Sequence, residues 1–423
     1  MSTVSDSDWV LINRGSTSYK CAAGDVKAKA TSSDYMLVNR GSSSYKIQGP
    51  DFKSKIVDSD WILVNRGSSS YKCSGADFKK VLGPAKSEVW ADAYYWGNNG
   101  NNNINTGVNG DAYKSTAIIH SVGTKSIFTI GCKGVGSASN GDYAAATPSN
   151  GRGATVNWTE NFNTYWGPGN VYLKAGTGAY VNQSGTAYTM NHLRQAEGFH
   201  DWQKWTGNNG TQRIYHNLGE VPGAVIVIGG FRSQYTAWHN KSSSVVHCVG
   251  TSSSNSGPDS SYNESFIYSS GTKPINAVTS TYIDITNENN HINSSGYEYL
   301  VLFFGGGGNG NDLIKCGQFT GNGSTSSGPT ITMDFAPNFF LQWRADTYPT
   351  QYGYHSSGRL AAIKADNTIP GFAVRWDLTA GSVDISDSDL KLVKSWNSNG
   401  VTIERYYVFG INDSGVKYNY IAF

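Results

Sequence analysis

The chain has 423 residues, and its 33 Lys and Arg against 31 Asp and Glu leave a formal net charge of +2. This near-neutral balance argues against a dedicated nucleic-acid-binding protein, and an aromatic content of 13% argues against a disordered chain. With 50 Gly and only 4 Met, the composition is poor in helix formers and typical of strands and turns. We therefore expect an all-β protein.

The start of the sequence predicts no secretory signal, because residues 1–9 are polar and have no apolar core. The longest apolar runs, such as 224–228 and 300–304, are far shorter than the roughly 18–20 residues that cross a bilayer. The five scattered cysteines predict neither a disulfide framework nor a zinc site: Cys21, Cys73, Cys132, Cys248 and Cys316. We expect synthesis and folding in a reducing cytoplasm.

Residues 8–85 contain three copies of a 26-residue unit, marked by Trp9, Tyr35 and Trp61. In each copy an aromatic and apolar run, a Gly-Ser turn and a second short run around a tyrosine predict a β-hairpin. One hairpin is too small to bury its own apolar face, so we expect the three to stack on one another or on another chain. Cys21 and Cys73 occupy one repeat position and are expected to be small core residues.

The hairpin repeats carry arginines and lysines at constant positions: Arg14, Arg40, Arg66, Lys20, Lys46 and Lys72. These cations could form a basic stripe that docks on an acidic protein surface. They could instead form a solvated face that neighbouring aspartates neutralise, and this second interpretation is favoured. Gly83-Pro84 is a predicted linker after the hairpins.

A larger repeat is marked by two short motifs. The first is a Gly-Asn turn at 97–100, 207–210 and 321–323, and the second is Ser-Gly-x-x-Tyr, ending at Tyr188, Tyr299 and Tyr418. The separation of the two motifs is similar in all three copies, which predicts three modules of about 110 residues, each a β-sandwich or jelly roll. The predicted domains are thus 1–85 for the hairpins, followed by 86–200, 201–310 and 311–423.

Inside each module a turn is expected to lead into a short apolar strand. His216 lies in such a turn before 224–228, and His120 lies in the turn predicted before 127–130. The two histidines would then occupy matching turns, where a hydrogen bond that holds the turn is the expected role. The segment 389–394 is the best candidate for a short helix.

The second and third modules carry a recognisable series of motifs: Phe199-His200-Asp201-Trp202, Thr206-Gly207-Asn208, His216-Asn217-Leu218-Gly219, Val221-Pro222-Gly223, Gln318-Phe319-Thr320-Gly321-Asn322-Gly323 and Tyr418–Phe423. This series resembles modules of tail-fibre-like virion structural proteins from phages that infect marine cyanobacteria. The hairpin units are similar to short repeats at the start of such proteins. The third module departs from the pattern because it lacks the His-Asn-Leu-Gly motif.

Several motifs suggest chemistry only weakly. Gly305-x-Gly307-x-x-Gly310 matches a dinucleotide-binding fingerprint, but no helix is predicted after it, so a linker between modules is favoured. Asp384, Asp387 and Asp389 could offer oxygens to Ca²⁺, but an EF-hand's Gly and Glu are missing and helix capping is favoured. Glu160, Glu197 and Glu404 are available to a glycosidase, although nothing in the sequence singles them out.

Three aromatic clusters suit either sugar binding or packing: Tyr94-Tyr95-Trp96, Trp202 with Trp205, and Tyr406-Tyr407. Packing is favoured for each of them. No catalytic, metal-binding or cofactor-binding residue is predicted, no cofactor is expected, and the ligand-binding residues stay unassigned.

The resemblance implies a non-enzymatic bacteriophage virion protein that is made in the host cytoplasm. We expect a tail-associated, fibre-like component that acts in host attachment, with the hairpins docked to the particle and the modules facing host-surface polysaccharide. Its expected partners are other virion proteins and two further copies of itself in a homotrimer, with no nucleic acid and no membrane insertion. A capsid decoration protein or head fibre that stabilises the shell is the alternative, and a polysaccharide-degrading tail enzyme is a third, less favoured one.

Overall fold

The computed structural model describes only part of the chain. The described residues are 9–14, 17–22, 34–40, 43–48, 60–66, 69–74, 89–105, 115–122, 128–132, 145–148, 154–157, 164–167, 170–173, 182, 184–185, 187–229, 236–240, 246–251, 263–268, 274–287, 292–306, 313–324, 326–345, 360–363, 372–375, 393–403 and 412–423. The elements that these residues form are all β-strands, which confirms the predicted all-β class. The chain divides into two compact units: Met1–Glu88, and a second that starts at Val89 and holds all later described residues.

The described residues of the first unit form three β-hairpins. Their strands are β1 (Trp9–Arg14), β2 (Thr17–Ala22), β3 (Asp34–Arg40), β4 (Ser43–Gln48), β5 (Trp61–Arg66) and β6 (Ser69–Ser74). Strands β1, β3 and β5 each pair along their length with the strand that follows, in antiparallel register. Val10, Ile62 and Cys73 are buried, so Cys73 is the small core residue that its repeat position predicts.

The first strands of the three hairpins pair with one another in a cycle. The same repeat position makes each of the three junctions, an asparagine opposite the next copy's leading aromatic: Asn13 with Tyr35, Asn39 with Trp61, and Asn65 with Trp9. The hairpins therefore pack on one another and close on themselves. The side chains of the repeated arginines and lysines lie outside the described residues.

The second unit contains the remaining strands. The first group is β7 (Trp90–Trp96), β8 (Asn102–Asn105), β9 (Ser115–Val122), β10 (Phe128–Cys132), β11 (Ala145–Pro148), β12 (Ala154–Asn157), β13 (Thr164–Gly167), β14 (Asn170–Leu173) and β15 (Ala187–Arg194). The second is β16 (His200–Thr206), β17 (Thr211–Tyr215), β18 (Ala224–Gly229), β19 (Thr236–Asn240), β20 (Val246–Thr251), β21 (Asn263–Tyr268), β22 (Ile275–Asn276), β23 (Tyr282–Thr286) and β24 (Glu298–Phe304). The third is β25 (Lys315–Thr320), β26 (Thr330–Thr332), β27 (Phe339–Arg344), β28 (Leu360–Ile363), β29 (Phe372–Arg375), β30 (Val393–Asn397), β31 (Gly400–Ile403) and β32 (Lys417–Ala422).

Each group forms one large and one small antiparallel sheet, with the same strand order. The large sheets run β7-β15-β9-β10-β11-β12, β16-β24-β18-β19-β20-β21 and β25-β32-β27-β28-β29. The small sheets run β13-β14-β8, β22-β23-β17 and β30-β31-β26. Both sheets of a group contribute to one apolar core; in the second group, for example, Val225 and Val301 of the large sheet pack with Ile283 and Ile285 of the small one. We call these groups the first, second and third sandwich.

Each large sheet is also partly buried on the face that points away from its small sheet. These faces meet in one apolar cluster that all three sandwiches share. Leu193, Phe304 and Phe423 belong to it, and each lies five residues after the tyrosine of its Ser-Gly-x-x-Tyr motif. Ile118 and Ile226 occupy a second equivalent position within the cluster. A sheet that is covered on both faces explains why β18 and β24 are nearly continuous apolar runs.

Every pair of sandwiches is in contact. The first touches the second where Thr116 Oγ1 lies 2.8 Å from His200 Nε2. The second touches the third through the rings of Phe199 and Phe423, whose centroids are 6.2 Å apart. The third touches the first where Asn338 Nδ2 donates to Asp92 Oδ2 over 3.4 Å. The three sandwiches thus form a closed set around their common core.

Two local predictions are wrong. His120 does not lie in a turn that matches His216; it is inside β9, opposite Thr189 of β15. The strand that corresponds to β18 is β9, and residues 128–130 of the predicted segment belong to the next strand, β10. The predicted helix at 389–394 also fails at its end, since Val393 and Lys394 begin β30; residues 389–392 lie outside the described part.

Candidate functional site

The two motifs that mark the larger repeat meet in space. In the second sandwich the Asn209 backbone N donates to the Asn293 carbonyl over 2.8 Å, and the Ser295 N donates to Asn209 Oδ1 over 2.7 Å. The Asn293 side chain in turn donates to the Gly210 carbonyl over 2.8 Å. We call this set of bonds the asparagine clasp. The clasp therefore connects the two marker motifs at the start and the end of the sandwich.

The first sandwich carries the same three bonds, and the third carries two of them, because Gly323 stands where Asn209 offers its side chain. Asn182 Nδ2 donates to the Gly100 carbonyl over 2.7 Å, and Asn412 Nδ2 donates to the Ser324 carbonyl over 3.1 Å. These asparagines are buried, as Asn293 is. Sequence reasoning missed them, although an asparagine stands three residues before the glycine of Ser-Gly-x-x-Tyr in every copy. The motif that could have found them is Asn-x-Ser-Gly-x-x-Tyr.

A stacked aromatic pair lies beside each clasp. Its ring centroids are 5.2 Å apart for Tyr95 and Tyr188, 5.1 Å for Trp205 and Tyr299, and 5.1 Å for Phe319 and Tyr418. These rings are mostly buried, and burial raises the pKa of Tyr95 well above its usual value. Packing is therefore the role of these rings.

Some members of the predicted aromatic clusters are buried and others are exposed. Tyr95, Trp202 and Trp205 are buried, whereas Tyr94 and Trp96 are exposed and meet edge to face with centroids 6.2 Å apart. Tyr406 and Tyr407 lie outside the described residues. The most exposed large aromatic in the described part is Tyr215, at 65%, which no sequence motif singled out.

Tyr215 belongs to a polar face on the small sheet of the second sandwich. Alternate residues of β17 lie opposite alternate residues of β23, so that Arg213 pairs with Asp284 and Tyr215 with Tyr282. The Arg213 Nε and Nη2 atoms donate to the two Asp284 carboxylate oxygens over 2.9 and 3.1 Å. The guanidinium also lies 3.7 Å from the centroid of the Tyr282 ring. We call Arg213, Tyr215, Tyr282 and Asp284 the tyrosine–arginine face.

The positive charge of Arg213 on this face is neutralised by the negative charge of Asp284. The bonds from Arg213 lower the pKa of Asp284, and the same bonds raise the pKa of Arg213, so both groups stay ionised over the physiological range. A bidentate arginine–carboxylate pair also fixes both side chains. The face therefore presents aromatic rings and oriented polar groups without a net charge.

The two described histidine side chains with a shifted pKa are structural. His216 Nε2 donates to the Thr279 carbonyl over 3.1 Å, and its Nδ1 accepts from the Leu218 N over 3.3 Å, so it holds its turn as predicted. Partial burial lowers its pKa. His200 is fully buried, and burial lowers its pKa to about 3, because only its hydrogen bond to the Phe303 carbonyl favours the charged form.

Among the acidic residues, Asp201 has a structural role, and most of the candidates lie outside the described residues. Buried Asp201 accepts from the backbone N of Trp202 over 2.8 Å and from that of Asn217 over 2.9 Å. Glu197 is exposed, while five other candidates lie outside the described residues: Glu160, Asp384, Asp387, Asp389 and Glu404. Among the residues described, no group of three His, Cys, Asp or Glu side chains could hold a metal ion.

The Gly305–Gly310 segment connects the second and third sandwiches. A Cβ at Gly305 would collide with the Gly198 carbonyl, and the Gly306 N donates to Glu220 Oε1 over 2.9 Å. Strand β25 begins at Lys315 soon afterwards, where a dinucleotide site would need the N-terminus of a helix. Gly307 and Gly310 lie outside the described residues.

No protein family, no curated protein and no solved structure matches the chain. In the described part of the chain, no helix is both long and apolar enough to span a membrane.

Proposed function

We propose that the chain is a structural protein of a bacteriophage virion, a tail-associated, fibre-like component whose repeated β-sandwiches serve in attachment to the host surface. Its hairpin unit docks to other virion proteins, and its sandwiches meet host-surface polysaccharide. The protein is made in the host cytoplasm, acts in the particle and is not an enzyme. The proposal extends the resemblance of the repeats to tail-fibre-like virion proteins.

One observation supports this proposal most: a single sheet arrangement recurs three times around a shared core. In each copy a buried asparagine donates to a backbone carbonyl of the facing turn, and a stacked aromatic pair lies beside it. Such repetition suits a rigid scaffold that offers similar surfaces several times, where affinity comes from many weak contacts. An enzyme, by contrast, needs only one site that differs from the rest.

The location in the particle is tested by labelling. Gold-conjugated antibodies against the purified chain are applied to particles of the virus that encodes it and viewed by electron microscopy. The proposal expects gold at the tail. Gold on the head favours the alternative below, and unlabelled particles, with the chain also missing from their mass spectrum, contradict both.

A capsid decoration protein or head fibre is a second candidate, favoured by one feature. Both units complete a three-way arrangement within one chain, the hairpins through a cycle of pairings and the sandwiches through mutual contacts. A single copy could therefore fill a threefold site on a shell. Copy number separates the candidates, because a decoration protein is far more abundant in the particle than a tail protein.

The predicted homotrimer and the absence of enzyme activity each have a direct test. One chain weighs 45.6 kDa, so light scattering distinguishes a single chain from three. Incubation with host envelope glycan tests the third candidate, a polysaccharide-degrading enzyme, which would release oligosaccharides.

A further inference from the structure

We propose that the tyrosine–arginine face binds an uncharged polysaccharide, with a pyranose ring stacked on Tyr215. The inference rests on the proposed function in that it names the sandwich surface that meets host polysaccharide. It assigns one face of one sandwich, and can fail without the virion role failing.

The aromatic part of the face is both exposed and held in place. Tyr215 is 65% exposed, and its ring meets that of Tyr282 edge to face, with centroids 6.1 Å apart and planes inclined by 68°. The Arg213 guanidinium covers the Tyr282 ring at 3.7 Å. Tyr282 is thereby fixed from two sides and supports Tyr215 at its edge. A fixed aromatic ring loses little conformational entropy when a sugar stacks on it.

Polar groups of the kind that bind sugars continue the face along the strands, on one side of the tyrosines. The hydroxyls of Thr211 and Thr286 lie 3.3 Å apart across the strands, and Asn276 Nδ2 lies 3.4 Å from the Thr286 hydroxyl. The Arg213–Asp284 pair lies between these groups and the tyrosines in the strand register. Hydroxyl, amide, guanidinium and carboxylate groups together offer the donors and acceptors that sugar hydroxyls need.

The charge balance selects the class of polysaccharide. Arg213 engages both oxygens of Asp284, so the cation and the anion neutralise each other on the face. An acidic polysaccharide would need an uncompensated cation, and would be repelled by the Asp284 carboxylate. An uncharged polysaccharide needs no free cation and is not repelled by the Asp284 carboxylate. We therefore commit to neutral hexose polymers.

The third sandwich indicates that the fold does not require these four residues. Its small sheet has the same polar ladder: the Thr330 and Thr402 hydroxyls lie 3.1 Å apart, and Asn397 Nδ2 lies 3.3 Å from the Thr402 hydroxyl. The place of the Arg213–Asp284 pair is taken by Thr332 opposite Gly400. The ladder thus maintains the sheet without an ion pair or tyrosines. What the second sandwich adds is available for binding.

The test measures the binding of soluble oligosaccharides to the full chain by saturation-transfer NMR. Neutral gluco-, manno- and galacto-oligosaccharides are compared with oligogalacturonate and sulfated galactan fragments as acidic probes. At least one neutral probe is expected to receive saturation, and Tyr215→Ala is expected to weaken it by about tenfold. Arg213→Thr, which introduces the residue found at the equivalent position, Thr332, is expected to weaken binding while leaving the melting temperature unchanged.

Tyr297→Ala is the matched control, because Tyr297 is an exposed tyrosine in the same sandwich but outside this face. It is expected to leave binding unchanged. The inference is overturned if no neutral probe binds, if acidic probes bind better, or if Tyr215→Ala and Tyr297→Ala have equal effects. Gold labelling at the tail together with any of these results rejects the face and retains the virion role; unlabelled particles with intact sugar binding reject the virion role alone.

Discussion

The rings of Trp205 and Tyr299 are stacked, with centroids 5.1 Å apart and planes inclined by 18°. Both residues also bond to the segment that carries the asparagine clasp, since Trp205 Nε1 donates to Asn293 Oδ1 over 3.1 Å and the Tyr299 hydroxyl accepts from the Ser294 N over 2.9 Å. Aromatic stacking and hydrogen bonding are thus coupled in one unit that connects the start and the end of the sandwich.

Tyr299→Phe tests the hydrogen-bonding half of this unit. The ring stays in place while the buried Ser294 N loses its acceptor, so we expect a loss of about 1–2 kcal/mol of stability. Urea unfolding followed by tryptophan fluorescence measures it. Tyr418→Phe should cost a similar amount, because its hydroxyl accepts from the Asp413 N over 3.0 Å. Exposed Tyr297→Phe serves as the control, and an equal loss there would contradict the assignment.

Asn293 is the centre of the second clasp. Asn293→Ala removes the acceptor of Trp205 Nε1 and the donor to Gly210, and it places Ala at a φ of 67°. We expect a loss of about 2–4 kcal/mol from the missing bonds and the left-handed backbone together. Asn293→Gly relieves the backbone strain and should recover about 1 kcal/mol. Urea midpoints of the two variants separate the two causes; equal midpoints would show that the strain is negligible.

The sequence predicts the two turns of the clasp but not the contact between them. Gly and Asn repeated at fixed spacing because tight turns require them, and this made the turns and the duplication visible. Contact between the two turns was not predicted, since 80–90 residues separate Asn293 from its partners Trp205, Asn208 and Gly210. Strand composition likewise predicted the all-β class, because Val, Ile and Tyr runs between Gly, Ser and Asn turns favour sheets.

The tyrosine–arginine face could not be predicted for a different reason. Tyr215 and Tyr282 are far apart in sequence, and their contact depends on the antiparallel register of β17 and β23. A shift of one residue would turn all these side chains into the core. His120 shows a related ambiguity: short apolar runs look alike, so the sequence places this strand at 127–130, whereas the structure has it at 115–122.

Gly207 tests how closely the two turns approach. A Cβ on Gly207 would collide with the Ser294 carbonyl oxygen and the backbone of Asn293. Gly207→Ala should therefore displace the clasp and cost about 3 kcal/mol or more, as overpacking and lost hydrogen bonds combine. Gly296 is the matched comparison, because it has a φ of 81° but open space around its Cα, so Gly296→Ala should cost only about 1 kcal/mol. The melting temperatures of the two variants should differ accordingly, and an equal decrease would argue against the close approach.

His200 predicts how stability depends on pH. Its neutral ring donates from Nδ1 to the Phe303 carbonyl over 2.9 Å and accepts at Nε2 from the Thr116 hydroxyl over 2.8 Å, which joins the first and second sandwiches. Burial lowers its pKa to about 3 in the folded chain, against about 6.5 when unfolded.

Between those two values the unfolded chain binds more protons at this residue, so acid favours unfolding. The contribution is complete above pH 6.5 and decreases as the pH falls towards 3, which amounts to about 2 kcal/mol between pH 7 and pH 5. His200→Gln keeps a donor and an acceptor but does not titrate, so its urea midpoint should decrease less over this range than that of the wild type. His216 titrates in both proteins and cancels in the difference. Parallel pH profiles for the two chains would show that His200 does not titrate as its burial requires.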